Sequence, residues 1–87
     1  YTNYPNPFNP STIITYDLPN FSSVELNVYD VRGRKIKSLF SGDLSAGQHK
    51  AIWTGVDDHG LNVSAGVYIY KLQVSDKVFK RKMILMK

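Results

Sequence analysis

From Ile13 to Met86 the chain keeps returning to a period of two, and each such run is cut by a turn signal within about ten residues. The clearest run is Val67 to Val74, with Tyr68, Tyr70, Leu72 and Val74 on one face and Val67, Ile69, Lys71 and Gln73 on the other. Ile14, Tyr16 and Leu18 alternate with Thr15 and Asp17 until Pro19 ends that strand. Val24, Leu26 and Val28 alternate with Glu25, Asn27 and Tyr29, and His49, Ala51 and Trp53 repeat the spacing. A last strand spans Val78 to Met86. A surface helix needs apolar residues three and four apart, and no ten-residue stretch supplies them. The chain reads as all-β: a single antiparallel sandwich of about seven short strands.

Two of those strands are weaker. In Lys35 to Phe40 the apolar residues Ile36 and Leu39 stand three apart, so a bulge or an early end is expected there. Leu61 to Val63 is just long enough for a short strand. Asp30-Val31-Arg32-Gly33-Arg34 supplies a turn, with Gly33 suited to a positive φ. Ser41-Gly42-Asp43 and Ala46-Gly47 bracket a loop, Gly55 to Gly60 makes a polar turn, and Ser64-Ala65-Gly66 and Ser75-Asp76-Lys77 make two more. The predicted core is Ile14, Tyr16, Leu18, Val24, Leu26, Val28, Trp53, Tyr68, Tyr70 and Leu72.

Three of the four prolines fall in Tyr4 to Thr12. Proline fixes its own φ and drives the residue before it towards extended backbone, so residues 1–12 form an extended, turn-rich lead-in to a sandwich of residues 13–87. Tyr4 and Phe8 are placed to pin the lead-in by packing on the sandwich edge. With 87 residues there is room for one domain and no second core. The absence of cysteine removes disulfides, thiolate zinc sites and cysteine nucleophiles together. No transmembrane segment is expected, because the longest apolar run, Met83 to Met86, falls far short of the roughly 20 residues a membrane helix needs. A first residue of tyrosine, with no signal peptide in view, suggests a piece of a longer protein.

The net charge of +4 is unevenly spread. Residues 77–87 hold Lys77, Lys80, Arg81, Lys82 and Lys87 and no acid, while residues 1–76 carry six bases and seven acids. The bases of the tail alternate with Val78, Phe79, Met83 and Ile84, as on a strand with one solvated face. A nucleic-acid site would need a basic stripe interleaved with exposed aromatic residues, so no nucleic-acid partner is expected.

Little in the sequence suggests catalysis. His49 shares a strand face with Trp53 and reads as a packed or edge histidine, with no nucleophile elbow beside it. His59 lies in Asp57-Asp58-His59-Gly60, where turn chemistry explains the acids better than a calcium loop, since two adjacent carboxylates are far from six or seven ligands. No pair of acids suits glycoside hydrolysis and no glycine-rich stretch has phosphate-loop spacing. Tyr29, Tyr68 and Tyr70 with Trp53 could build a sugar-stacking platform, but aromatics at period two more often fill a core. The expectation is a protein that is not an enzyme and needs no cofactor or metal.

Taken in order, the motifs resemble a known family. Tyr4-Pro5-Asn6-Pro7-Phe8-Asn9-Pro10-Ser11-Thr12, Ile14-Thr15-Tyr16-Asp17-Leu18-Pro19 and Val28-Tyr29-Asp30-Val31-Arg32-Gly33-Arg34 come first. Ala46-Gly47-Gln48-His49, Trp53-Thr54-Gly55 and Ser64-Ala65-Gly66-Val67-Tyr68-Ile69-Tyr70 follow, and Lys80-Arg81-Lys82-Met83-Ile84-Leu85 closes the set. Together they resemble the type A carboxy-terminal sorting domains of the type IX secretion system across essentially the whole chain. A closely similar immunoglobulin-like module occurs in flagellar hook-assembly proteins; the proline-rich lead-in and the ending at Lys87 favour the sorting domain.

The resemblance implies an immunoglobulin-like sandwich at the end of a larger cargo protein from a bacterium of the Bacteroidetes type. It further implies passage through the periplasm to the medium or the cell surface, with the outer-membrane translocon, a sorting peptidase and the amino-terminal cargo domain as partners. Recognition would fall on the terminal strand, Lys80, Arg81, Lys82, Met83, Ile84, Leu85, Met86 and Lys87. The alternative is a structural or accessory immunoglobulin-like module: a spacer, a carbohydrate-binding accessory or a hook-assembly piece.

Overall fold

The computed structural model describes residues 11–86 and the backbone of residues 2–4. Seven strands are found there: β1 Thr2–Tyr4, β2 Thr12–Leu18, β3 Ser22–Asp30, β4 Lys35–Leu44, β5 Gly47–Trp53, β6 Gly66–Val74 and β7 Lys77–Leu85. They form two antiparallel sheets, one in the order β1-β2-β5 and one in the order β4-β3-β6-β7. No helix occurs among the described residues. The all-β sandwich expected from the periodicity is the observed fold.

The period of two decides which side chains are buried. All ten predicted core residues lie between the sheets, joined by Met83 and Leu85 of β7. Facing residues of adjacent strands interdigitate: Leu26 pairs with Leu72 and Val28 with Tyr70 across β3 and β6, and Tyr68 pairs with Met83 across β6 and β7. Each such side chain removed from water contributes about 1.5–3 kcal/mol, which a domain this small needs from nearly every inward position.

β4 shows why Ile36 and Leu39 stand three apart. Its register with β3 slips twice, from Phe40 to Ser38 and from Lys37 to Lys35, so that Leu39 and Ile36 are each left without an opposite number. The two bulges let both apolar residues pack against the core from the sheet edge. The strand does not end at Phe40, however. It runs on through Ser41-Gly42-Asp43, the segment expected to open a loop, to Leu44. Two contacts hold it there: Ser23 Oγ donates to Asp43 Oδ1 at 2.8 Å across the pair, and the Phe40 ring covers Gly42, where an added Cβ would stand 3.4 Å from it.

Leu61 to Val63 is not a strand. Val56 and Asn62 form an isolated bridge, and the stretch is folded on itself by a Val63 N–H bond to Gly55 O at 3.0 Å. Neither sheet offers it a neighbouring strand. The seventh strand is instead Thr2–Tyr4, which pairs with Ile13 to Thr15. The turns and packing expected of Pro5 to Pro10, Phe8 included, lie outside the described residues, as does the Tyr4 side chain.

Two turns share one construction, Asp-x-x-Gly-x. In Asp30–Arg34 the Asp30 Oδ1 accepts the N–H groups of Arg32 and Arg34 at 2.9 and 3.0 Å; in Asp57–Leu61 the Asp57 Oδ1 accepts those of His59 and Leu61 at 2.8 and 3.0 Å. Gly33 and Gly60, at φ 85° and 80°, occupy the left-handed position that each turn requires.

Candidate functional site

The terminal segment singled out in the sequence is divided by the pleat of β7. Met83 and Leu85 point inward and are fully or almost fully buried, while Lys80, Arg81, Lys82, Ile84 and Met86 are exposed. Arg81 pairs with buried Tyr70 and so lies on the inner side of the sheet edge; its Nη1 donates to Lys80 O at 2.9 Å. Lys80, Lys82 and Ile84 take the outer face. Lys87 lies outside the described residues. Among the described residues the segment is therefore the half-buried last strand of its sheet, and its two faces differ in chemistry.

The outer face acquires neighbours that the linear sequence does not show. Register sets Lys71 of β6 directly opposite Lys80, with Asn27 of β3 and Ser38 of β4 completing the row. The next row reads Lys35, Tyr29, Ile69 and Lys82. Beyond it, Val67 pairs with Ile84, both more than one-third exposed. The Lys71 ammonium stands 5.0 Å from the Tyr29 ring centroid, a cation–π contact that fixes its stem over the sheet. Asn27 is buried beneath this layer and donates to the Tyr29 hydroxyl at 3.4 Å. A shallow groove of about 230 Å³ runs between Val31, Ile69 and Lys80. Lys71 was readable in advance: a two-residue turn at Ser75-Asp76 pairs Val74 with Lys77 and hence Lys71 with Lys80. Lys35 was not, because two bulges separate it from any simple count.

The other sequence candidates are accounted for by packing. Trp53, Tyr68 and Tyr70 are buried and so offer no stacking platform for sugars; Tyr29 is half-buried and covered by Lys71. His49 is half-buried, tilted against its cross-strand partner Tyr16 at 5.9 Å, with Nε2 2.8 Å from Ser45 O. Burial pushes the Tyr16 hydroxyl above its ordinary range. His59 is exposed and contributes its backbone N–H to the Asp57 turn.

Asp57 and Asp58, read together as one turn, do different things. Asp57 closes the turn, and the Leu61 N–H, followed by that of His59, holds its carboxyl below the usual range. Asp58 reaches across to β4 instead: its Oδ1 accepts the Ser38 N–H at 2.9 Å and its own N–H donates to Ile36 O at 3.0 Å. The loop is thereby tied to the bulged edge of β4. Among the described residues no three His, Asp or Glu side chains converge as a metal centre.

Known proteins place this geometry. No curated protein sequence matches the chain. Among solved structures, FlgD from P. aeruginosa superposes with a TM-score of 0.67 at 29% identity, over 86% of this chain and 60% of that one. FlgD from Xanthomonas campestris, reported for insights into the hook capping essential for flagellar assembly, gives 0.66 at 22% identity, over 91% and 58%. PorZ, a bacterial surface component of the type IX secretion system of Porphyromonas gingivalis, gives 0.66 at 18% identity, over 99% of this chain and 11% of its own. The chain spans less than two-thirds of each of these proteins. The family model for the FlgD Ig-like domain matches residues 8–77, from the lead-in through the β6–β7 turn. By that match, covering most of the sequence and the strands β2 to β6, the chain belongs to the family of FlgD Ig-like domains.

Proposed function

We propose that this domain is a non-catalytic, immunoglobulin-like structural module of a larger assembly protein, working as the corresponding domain does in the hook-capping proteins it resembles. The observation that carries this reading is the shared two-sheet architecture with FlgD, at 29% identity over 86% of the chain, together with the family match. A module of this kind presents a rigid surface and needs no cleft, which agrees with the use of almost every inward residue in packing.

A second reading, the type IX sorting domain, is favoured by one specific observation. The likeness to PorZ extends over 99% of the chain. Under this reading the outer-membrane translocon would read the outward side of β7, and the domain would travel through the periplasm to the exterior.

Export separates the two. The chain is fused behind a neutral periplasmic reporter in a type IX-competent bacterium, and reporter is measured in the periplasm and the medium. Retention of folded fusion in the periplasm is the outcome for a structural module. Transfer to the medium or cell surface would replace it with the sorting reading.

A further inference from the structure

The outer face of the four-stranded sheet breaks a rule of sheet stability. Lys71 and Lys80 are direct cross-strand partners, and like charges placed so destabilise the pair they join. Lys82 follows two residues along β7, and Lys35 closes the next row from β4. Among the described residues Lys35, Lys71 and Lys80 form no ion pair. The acids around this face are engaged elsewhere or set apart: Asp30 pairs with Arg34 at 2.9 Å, Asp58 accepts the Ser38 N–H and faces Lys37, and Glu25 lies a row away, opposite Gln73. The Tyr29 ring offsets part of that cost at Lys71, and a cost otherwise without a counter-charge is the mark of a surface whose counter-charge arrives with a partner.

We propose that this face docks an extended acidic peptide segment of a partner protein. Its alternate carboxylates would lie against Lys71, Lys80 and Lys82, and an apolar residue against Ile69, Val67 and Ile84. Spacing supports the assignment. Lys80 and Lys82 are two residues apart on a strand, about 6.6 Å, which is also the separation of every second side chain in an extended peptide. The apolar strip formed by Val67 and Ile84, 36% and 40% exposed, adjoins the lysines and suits a chain that carries both chemistries. A second copy of this domain would bring lysine against lysine. A single-stranded nucleic acid would want an aromatic face for stacking, and the one aromatic ring here is already occupied by Lys71. The surface is defined by register and charge and stands independently of the function proposed above.

The test is fluorescence anisotropy on the 87-residue chain at low salt. The probe is a labelled peptide of alternating Glu and Thr, about ten residues long and so able to span the sheet. Its counterpart carries Gln for Glu, and a thymidine oligonucleotide of equal charge serves as the competitor class. The Glu-Thr peptide is expected to bind and the Gln-Thr peptide not to. Lys71→Gln with Lys80→Gln should weaken binding about tenfold, as loss of two solvent-screened charge contacts would. Lys80→Gln with Lys82→Gln, which leaves the Tyr29 contact in place, should weaken it to a similar extent. Lys50→Gln, on the opposite sheet, should change nothing. Lys80→Gln alone should raise the melting temperature of the free domain by about 1–2 °C, relieving the like-charge pair. Absence of binding, equal binding of both peptides, an equal loss with Lys50→Gln, or tighter binding of the oligonucleotide would each overturn the proposal.

Discussion

The indole of Trp53 meets the ring of Tyr68 edge-on, their centroids 5.1 Å apart, and each residue donates a hydrogen bond into the loop that separates them in sequence. Trp53 Nε1 donates to Val56 O at 2.8 Å and the Tyr68 hydroxyl donates to Ser64 O at 2.6 Å. The long crossing from β5 to β6 is thus pinned at both ends by two buried rings that also pin each other. A tyrosine near a strand start, bonding back to backbone four residues upstream, is the corner device of immunoglobulin-like folds.

Trp53→Ala removes the fully buried ring, its edge contact and the donor for Val56 O. The expected cost is about 3–5 kcal/mol, a large share of the stability of a small domain. Urea unfolding should show a lower midpoint with an unchanged slope if the native sandwich survives. A loss below about 1 kcal/mol would mean that the ring is not the centre of the core.

Tyr68→Phe keeps the ring and deletes the hydroxyl. About 1 kcal/mol should be lost, the usual net worth of such a bond. The loss should be local: hydrogen exchange of residues 54–65 should quicken more than that of β3 and β6, since the core contacts remain. Uniform quickening across the domain would show that the corner bond is coupled to the whole fold.

How much was legible beforehand follows from how local each signal was. Val67 to Val74 specified β6 and its buried face, because alternation survives without knowledge of neighbours. Ser41-Gly42-Asp43 looked like the start of a loop, and became strand only because Ser23 to Glu25, some twenty residues away, pairs with it. Leu61 to Val63 had strand composition but no partner within reach. The lysine face drew Lys35, Lys71, Lys80 and Lys82 from three strands, and sheet order alone brings them together. Asp58 shows the same limit: its neighbour Asp57 behaves as a turn residue, while Asp58 acts on β4 twenty residues away.

The paired Asp turns predict an acid limb. In Asp30 the Arg34 N–H bond comes first, then the Arg34 guanidinium and the Arg32 N–H, and together they hold the carboxyl below its ordinary range; Asp57 is lowered by the Leu61 and His59 N–H groups. A native pKa below the unfolded value of about 3.9 favours the folded state once the unfolded carboxylate is ionised. Their contribution is therefore complete above about pH 5, and is lost as pH falls through the native values. Asp30→Asn with Asp57→Asn should lower the melting temperature at neutral pH and flatten its decline below about pH 4. Parallel melting curves for variant and parent across that range would contradict the assignment.

The last prediction concerns β7, where loss of a recognition element and loss of the fold are easily confused. Removing Met83 to Lys87 would take Met83 and Leu85 out of the core, so any functional effect of that deletion would be a folding effect first. Single substitutions separate the faces. Leu85→Ala, at 2% exposure, should cost about 2–4 kcal/mol by leaving a cavity against the sheet. Ile84→Thr, one residue earlier on the outer face and 40% exposed, keeps the β-branch and should cost under about 1 kcal/mol. Lys80→Glu with Lys82→Glu should leave the fold intact, since surface changes usually stay within about 0.5 kcal/mol each. Thermal unfolding of the three variants reads the alternation directly, and a larger loss at position 84 than at 85 would shift the strand by one residue. With the faces so established, the double reversal can be carried into the reporter export experiment: a folded variant with altered export isolates the charges of β7, and a folded variant that behaves as the parent removes them from recognition.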